Sequence, residues 1–244
     1  MANKVIMLAS GKGGTGKSTV SVLLGAALAK HGSRVLLIEL DSGLRSVDII
    51  SGVYGKTVYD IEDILSGRCE AAKAVSMSTV FNGLSVISAP YSGGSISAGA
   101  LRAAVNKLGA SYDIVLLDTA AGMGDAFTAA SEVAYNAILV LTPDAITLRD
   151  GRIAADYLFA TKRVDVKLLI NKADAQLISA GGIKDIDECI DTVGATLLGI
   201  IPNSAAIMSA GVSGQPLSAK SLEAKVFDNI ARRILGEEVP LLIR

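Results

Sequence analysis

With 244 residues, 50% of them apolar and only 4% aromatic, the chain is long enough for one large α/β domain with a full core. Its net charge of −1 lacks the global basic footprint of a dedicated nucleic-acid binder. Cys69 and Cys189 are far apart and show no CxxC spacing, which argues against a disulfide framework or zinc site and fits a reducing cytoplasm.

In chain order, Met1-Ala2-Asn3-Lys4 runs straight into an apolar run, so no secretory h-region is expected. No apolar stretch approaches the ~20 residues of a membrane span. Candidate strands are Val5–Ala9, Arg34–Leu40, Leu84–Ser88, Asp113–Leu117, Ala137–Leu141, Val166–Ile170 and Thr196–Ile200. They are nearly continuous in Val, Ile and Leu, the pattern of strands buried on both faces. Helical patterns fall at Gly16–Lys30, Val58–Ser66, Ile96–Leu108, Ala126–Ala134, Thr147–Ala160, Ile183–Val193 and Leu222–Leu235. This alternation implies right-handed crossovers and a mainly parallel sheet. Gly32, Gly109 and Gly236 sit where a glycine ends a helix, and Ser218 is expected to cap the last one. Leu222, Val226, Ile230 and Ile234 form an apolar stripe, with Arg232-Arg233 expected on its wet face and His31 at the end of the first helix. No linker or repeat interrupts residues 1–244, which read as a single domain.

Gly11-Lys12-Gly13-Gly14-Thr15-Gly16-Lys17-Ser18 fits G-x-x-x-x-G-K-[ST], with Thr19 following. It lies between an expected strand and an expected helix. Triphosphate oxygens held by backbone N–H groups leave little space for Cβ atoms, so glycine is favoured. The helix N-terminus adds partial positive charge. Lys17 is expected to reach the β- and γ-phosphates, and Ser18 to offer its hydroxyl to Mg2+.

In an open parallel sheet the site lies beyond the carboxyl ends of the strands, where Asp41 and Asp118 fall. An acid after an apolar strand suits Mg2+, so Asp118 reads as a metal partner through water. Asn171-Lys172-Ala173-Asp174 spells a guanine-reading NKxD pattern, leaving GTP in competition with ATP.

With its second lysine, Lys12, the loop resembles the deviant Walker A motif of the MinD/ParA ATPase family. Asp41-Ser42-Gly43-Leu44-Arg45-Ser46-Val47-Asp48 is similar to the family's first switch, and its Gly-Leu-Arg tract to the MinD branch. Asp118-Thr119-Ala120-Ala121-Gly122 is similar to the second switch, with Ala120 in place of a common proline. The likeness covers essentially the whole chain, through Val58-Tyr59-Asp60-Ile61, Arg149-Asp150, Gly199-Ile200-Ile201-Pro202 and Gly214-Gln215-Pro216-Leu217. Departures are Glu39, where many relatives carry aspartate, and Asn203, where an acid is common.

The resemblance implies a three-layer P-loop NTPase fold and an ATP-dependent homodimer that hydrolyses ATP to ADP and phosphate with Mg2+. Lys12, Lys17 and Asp41 are then catalytic, Lys12 crossing to the partner's phosphates and Asp41 orienting water or helping hold Mg2+. Asn171 and Pro202 are expected at the adenine. Division-site placement, MinC- and MinE-like regulators, and a cytoplasmic location with peripheral attachment to the inner face of the membrane follow by the same likeness. That attachment uses a basic amphipathic tail, which Val239-Pro240-Leu241-Leu242-Ile243-Arg244 is too short to form, so either the tail has been removed, or attachment is absent or supplied by a partner. The rival readings are a ParA-like DNA- or cargo-partitioning ATPase and a metallocentre-assembly ATPase.

Overall fold

The computed structural model describes residues 4–43, 45–91, 93–161 and 164–242; Met1-Ala2-Asn3, Leu44 of the first-switch tract and Ile243-Arg244 lie outside them. Among the described residues, eight strands form one sheet: β1 (Lys4–Ala9), β2 (Val35–Glu39), β3 (Ser76–Met77), β4 (Leu84–Ile87), β5 (Ile114–Asp118), β6 (Asn136–Leu141), β7 (Asp165–Ala173) and β8 (Thr196–Pro202). Their order is β3-β4-β2-β5-β1-β6-β7-β8, and every pairing is parallel except the short β3 against β4. The seven expected strands are present. β3 has two residues, too few to show a hydrophobic period.

Side chains of β1 divide between the two faces. Val5, Met7 and Ala9 join one core, Ile6 and Leu8 the other. Alternation in direction with uniform apolarity is what a strand covered on both sides requires. The first core is closed by α4 (Ala98–Leu108), α5 (Asp125–Val133), α6 (Ala145–Ala160) and α8 (Ile186–Val193). The second is closed by α1 (Lys17–Lys30), α2 (Ser46–Ile50), α9 (Ala205–Ser213) and α10 (Leu222–Ile234). The result is the expected three-layer arrangement. Short helices α3 (Ile61–Leu65) and α7 (Ala175–Ala180) complete the set, together with a 3₁₀ turn at Ala71–Ala74.

Several local expectations need correction. Helices α2, α7 and α9 were not anticipated, being short or lacking a clear polar–apolar period. Helix α3 begins at Ile61 rather than Val58, because Asp60 accepts from the Glu62 and Asp63 amides while Asp63 accepts from the Asp60 amide, a reciprocal capping box. The cap of α10 is Ser221, whose Oγ accepts from the Ala224 amide at 3.1 Å, and not Ser218. Gly32 and Gly236 end their helices with positive φ, but Gly109 stays right-handed. Arg232 lies on the wet face paired with Glu237, whereas Arg233 turns inward to the carbonyls of Leu198 and Val239. His31 meets Asp228 of α10 at 2.9 Å. Among the described residues, no helix is long and apolar enough to cross a membrane.

Candidate nucleotide site

Strand β1 sits in the middle of the sheet, between β5 and β6, where successive connections leave in opposite directions. The loop 11–18 emerges from its carboxyl end at this switch point and opens α1, the place where doubly wound sheets bind ligands. Gly14 and Gly16 take φ values of +83° and +85°, a left-handed conformation that costs other L-residues about 1–2 kcal/mol each. Gly11 is needed for a different reason: a Cβ there would lie 2.5 Å from Cβ of Asp150 on α6. The loop is therefore pressed against the start of that helix.

The two lysines of the loop have opposite surroundings. Lys17 is 5% exposed and its Nζ lies 3.0 Å from Oδ1 of Asp118, which is fully buried at the end of β5. Ser21, one helical turn beyond Lys17, donates its hydroxyl to the same oxygen at 2.7 Å. Lys12 is exposed. Near it, burial pushes the Asp144 carboxyl up, but hydrogen bonds from Thr142 and Thr147 and the charge of Lys12 win and hold it below its ordinary value.

Three carboxylates meet at the strand ends. Register pairs Glu39 of β2 with Asp118 of β5, and Asp41 follows two residues on. Burial raises the Asp41 carboxyl, with Lys17 opposing and Asp118 reinforcing the shift. Glu39 is fully buried and accepts from the amides of Val47 at 3.0 Å and Ala89 at 3.3 Å. Burial pushes it up to about 7, against those amides and with help from Asp118 and Asp48. Glu39 thus straps the first-switch segment to the end of β4. The same segment is held by Arg45, at φ +40°, which reaches Asp48 at 3.0 Å and Thr57 at 3.0 Å beneath the ring of Tyr91. In the second switch, the Gly122 amide donates to the Ser10 carbonyl at 2.8 Å, a tether that serves despite Ala120 standing where a proline is common.

At the other side of the loop, Asn171 at the end of β7 is buried and donates from Nδ2 to the Thr15 carbonyl at 2.7 Å. Pro202 pairs in register with Ala173, so Asn171 and Pro202 stand on neighbouring strand ends. A cavity of about 870 Å³ opens beside them, lined by Asp174, Pro202 and Lys220 among others but not by residues 11–18.

The structure therefore gathers residues 11–18, Asp41, Asp118 and Asn171 around one strand-end mouth, with Thr19 against Gly211 of α9 and Pro202 at its edge. It adds Ser21, Glu39 and Lys172. Ser21 was legible as the i+4 neighbour of Lys17; the other two act through register and backbone geometry that a motif does not contain. A magnesium ion fits the donor set, because Asp118 Oδ2 is a buried oxygen with no hydrogen-bond partner among the described residues. Thr15 Oγ1 in the loop is likewise buried and unpartnered.

Comparison with known proteins identifies the family. A family model described as "ParA: NUBPL iron-transfer P-loop NTPase" matches residues 1–235. The septum site-determining protein MinD of Bacillus subtilis is 33% identical, covering 98% of this chain and 92% of that protein. MinD of Helicobacter pylori is 35% identical, with coverage of 96% and 91%. The chain belongs to the MinD/ParA family of P-loop NTPases. Among solved structures, the MinC:MinD cell division complex of Aquifex aeolicus superposes with a TM-score of 0.89 at 31% identity, covering 99% of both chains. MinD of Pyrococcus horikoshii, complexed with Mg-ADP, shares the fold with a TM-score of 0.81 at 22% identity, covering 95% of each chain. Within the family, this chain is of the MinD type.

Proposed function

We propose that residues 1–244 form a single ATPase domain that binds Mg-ATP, dimerises on it, and hydrolyses it to ADP and phosphate to time its association with partners in septum placement. The observation that carries this reading is the contrast between the two lysines of loop 11–18: Lys17 is buried on Asp118, and Lys12 is exposed.

Phosphate oxygens compete with Asp118 for Lys17. With Lys17 engaged by phosphate, Asp118 would keep the Ser21 hydroxyl, and Asp118 and Ser18 would be the residues that hold Mg2+. Bound Mg2+ would offset charge on the β- and γ-phosphate oxygens. Lys12 extends to the γ-phosphate held by a second copy, a charge stabiliser that monomers cannot supply. Asp41 orients a water whose oxygen bonds to the γ-phosphorus as the bridging bond to the β-phosphate breaks, leaving ADP and phosphate. Asn171 and Pro202 border the adenine. Loss of the γ-phosphate then slackens the strapped first switch and the dimer with it. MinC- and MinE-like partners complete the reading by kinship, and peripheral attachment to the inner face of the membrane belongs to it only where a basic amphipathic tail is supplied beyond residues 239–244 or by a partner.

A metallocentre role finds less support. Cys189 is enclosed in the core and its thiol is pushed up to about 11 by burial, which disfavours the thiolate a metal needs.

Sedimentation with Mg-ATP, with Mg-ADP and without nucleotide tests the proposal. A dimer with ATP alone is expected; one species under all three conditions would sink it. Competition between ATP and GTP decides the base, a clear GTP preference overturning the adenine assignment.

A further inference from the structure

Two consecutive residues at the end of β7 grip two consecutive carbonyls of the phosphate loop. Asn171 Nδ2 donates to the Thr15 carbonyl at 2.7 Å, and Lys172 Nζ donates to the Gly14 carbonyl at 2.7 Å. Lys172 does this from φ +56°, a left-handed conformation that bulky side chains rarely adopt. Only Arg45 shares a positive φ among the described residues other than glycine. The fit is tight: a Cβ on Gly16 would lie 2.5 Å from Asn171 Nδ2 and 3.7 Å from Lys172 Cε.

The consequence follows from peptide geometry. In a planar trans peptide the C=O and the next residue's N–H point in opposite directions. None of the described peptide bonds is cis. Turning the Gly14 carbonyl towards Lys172 therefore aims the Thr15 N–H away from it, and turning the Thr15 carbonyl towards Asn171 does the same for the Gly16 N–H. Both amides belong to the cradle that receives the triphosphate. Glycine takes either sign of φ at little cost, and Gly14 and Gly16 both stand at positive φ here, so an outside hold on the carbonyls between them has something to decide.

We propose that Lys172 is a positioning residue for phosphate binding, acting with Asn171 to preset the Thr15 and Gly16 amides from behind the loop, rather than by touching the base. This rests on the nucleotide-binding reading above and gives Lys172, which lies outside the phosphate-loop motif 11–18, a role towards phosphate instead of towards a base.

The test uses the whole chain, with Mg2+ present, and measures displacement of a fluorescent ATP analogue by ATP and by inorganic tripolyphosphate, which has no base. Lys172→Gly removes the ammonium and suits the left-handed backbone, so the fold is spared; Lys172→Arg restores a donor. Lys172→Gly should weaken ATP and tripolyphosphate by the same factor, about tenfold for one lost charged hydrogen bond. The deficit should persist at about 1 M salt, where simple charge attraction is screened, and Lys172→Arg should recover most of it. A loss confined to ATP, a loss that disappears in high salt, or no loss at all each overturns the proposal. Wild-type protein that binds neither ligand would instead remove the nucleotide-binding reading itself.

Discussion

Lys17 and Asp118 form a buried ion pair, 3.0 Å apart, that joins the start of α1 to the end of β5. The lysine expected to hold phosphate and the aspartate expected to face a metal hold each other. Each charge is buried and answered by the other, so neither can be removed alone without stranding its partner.

Removing one partner should therefore be costly even without ligand. Lys17→Ala leaves a buried carboxylate with only the Ser21 hydroxyl, and a loss of about 3–5 kcal/mol is expected in urea unfolding. The double substitution Lys17→Met, Asp118→Leu should recover most of that stability while binding no Mg-ATP. A double variant no more stable than Lys17→Ala would show that the pair is not the source of the loss.

Lys12 sits outside the fold's core interactions, and its removal should be read in assembly instead. Lys12→Ala is expected to keep monomer affinity for Mg-ATP within about fivefold, as for other exposed charges. It should abolish ATP-dependent dimers in light scattering. Unchanged dimerisation would end its assignment as the intermolecular lysine.

Glu39 gives the protein a pH dependence of known sign. Its carboxyl stands at about 7 in the fold against an ordinary 4.5, so the folded state binds the proton more tightly than the unfolded chain. The resulting stability is complete below about 4.5 and is lost as pH rises through about 7. By linkage the amplitude is about 3 kcal/mol. Urea midpoints from pH 4.5 to 8 should therefore show a downward component in wild type that is missing in Glu39→Gln. Matching profiles for the two proteins would refute the burial argument.

Gly11 tests the packing of the loop on α6. In Gly11→Ala the new Cβ meets Asp150 Cβ at 2.5 Å and its carbonyl carbon at 2.9 Å, so backbone must move. A stability loss of about 1–3 kcal/mol is expected from overpacking, with weaker Mg-ATP binding if the displaced backbone is the phosphate cradle we propose. Calorimetric melting together with nucleotide titration checks both. Normal values for each would mean that the loop and α6 part without cost.

Arg45 is the other strained residue of the site. Arg45→Ala strands the fully buried Asp48 carboxylate and should cost about 3–5 kcal/mol. Tyr91→Ala removes only a ring stacked 4.0 Å from the guanidinium carbon, worth about 0.5–1 kcal/mol at an exposed site. Equal losses in the two variants, measured by urea unfolding, would contradict this ranking.

The sequence by itself determined the layered α/β fold and the place of the phosphate loop. Buried parallel strands need continuous apolar runs, and phosphate cradles need glycine at fixed spacing; both are properties of neighbours along the chain. It also placed Asp41, Asp118 and Asn171 at strand ends, since an acid or amide after an apolar run is a local pattern. Only the tertiary structure decided what these groups do to one another. Asp118 lies 101 positions from Lys17 and Asn171 lies 156 from Thr15, yet sheet order brings each pair within hydrogen-bonding distance. The proton affinity of Glu39 and the hold of Lys172 on Gly14 depend on burial and on the direction of a carbonyl. Those are set by how strands align in three dimensions, and no run of adjacent residues encodes them.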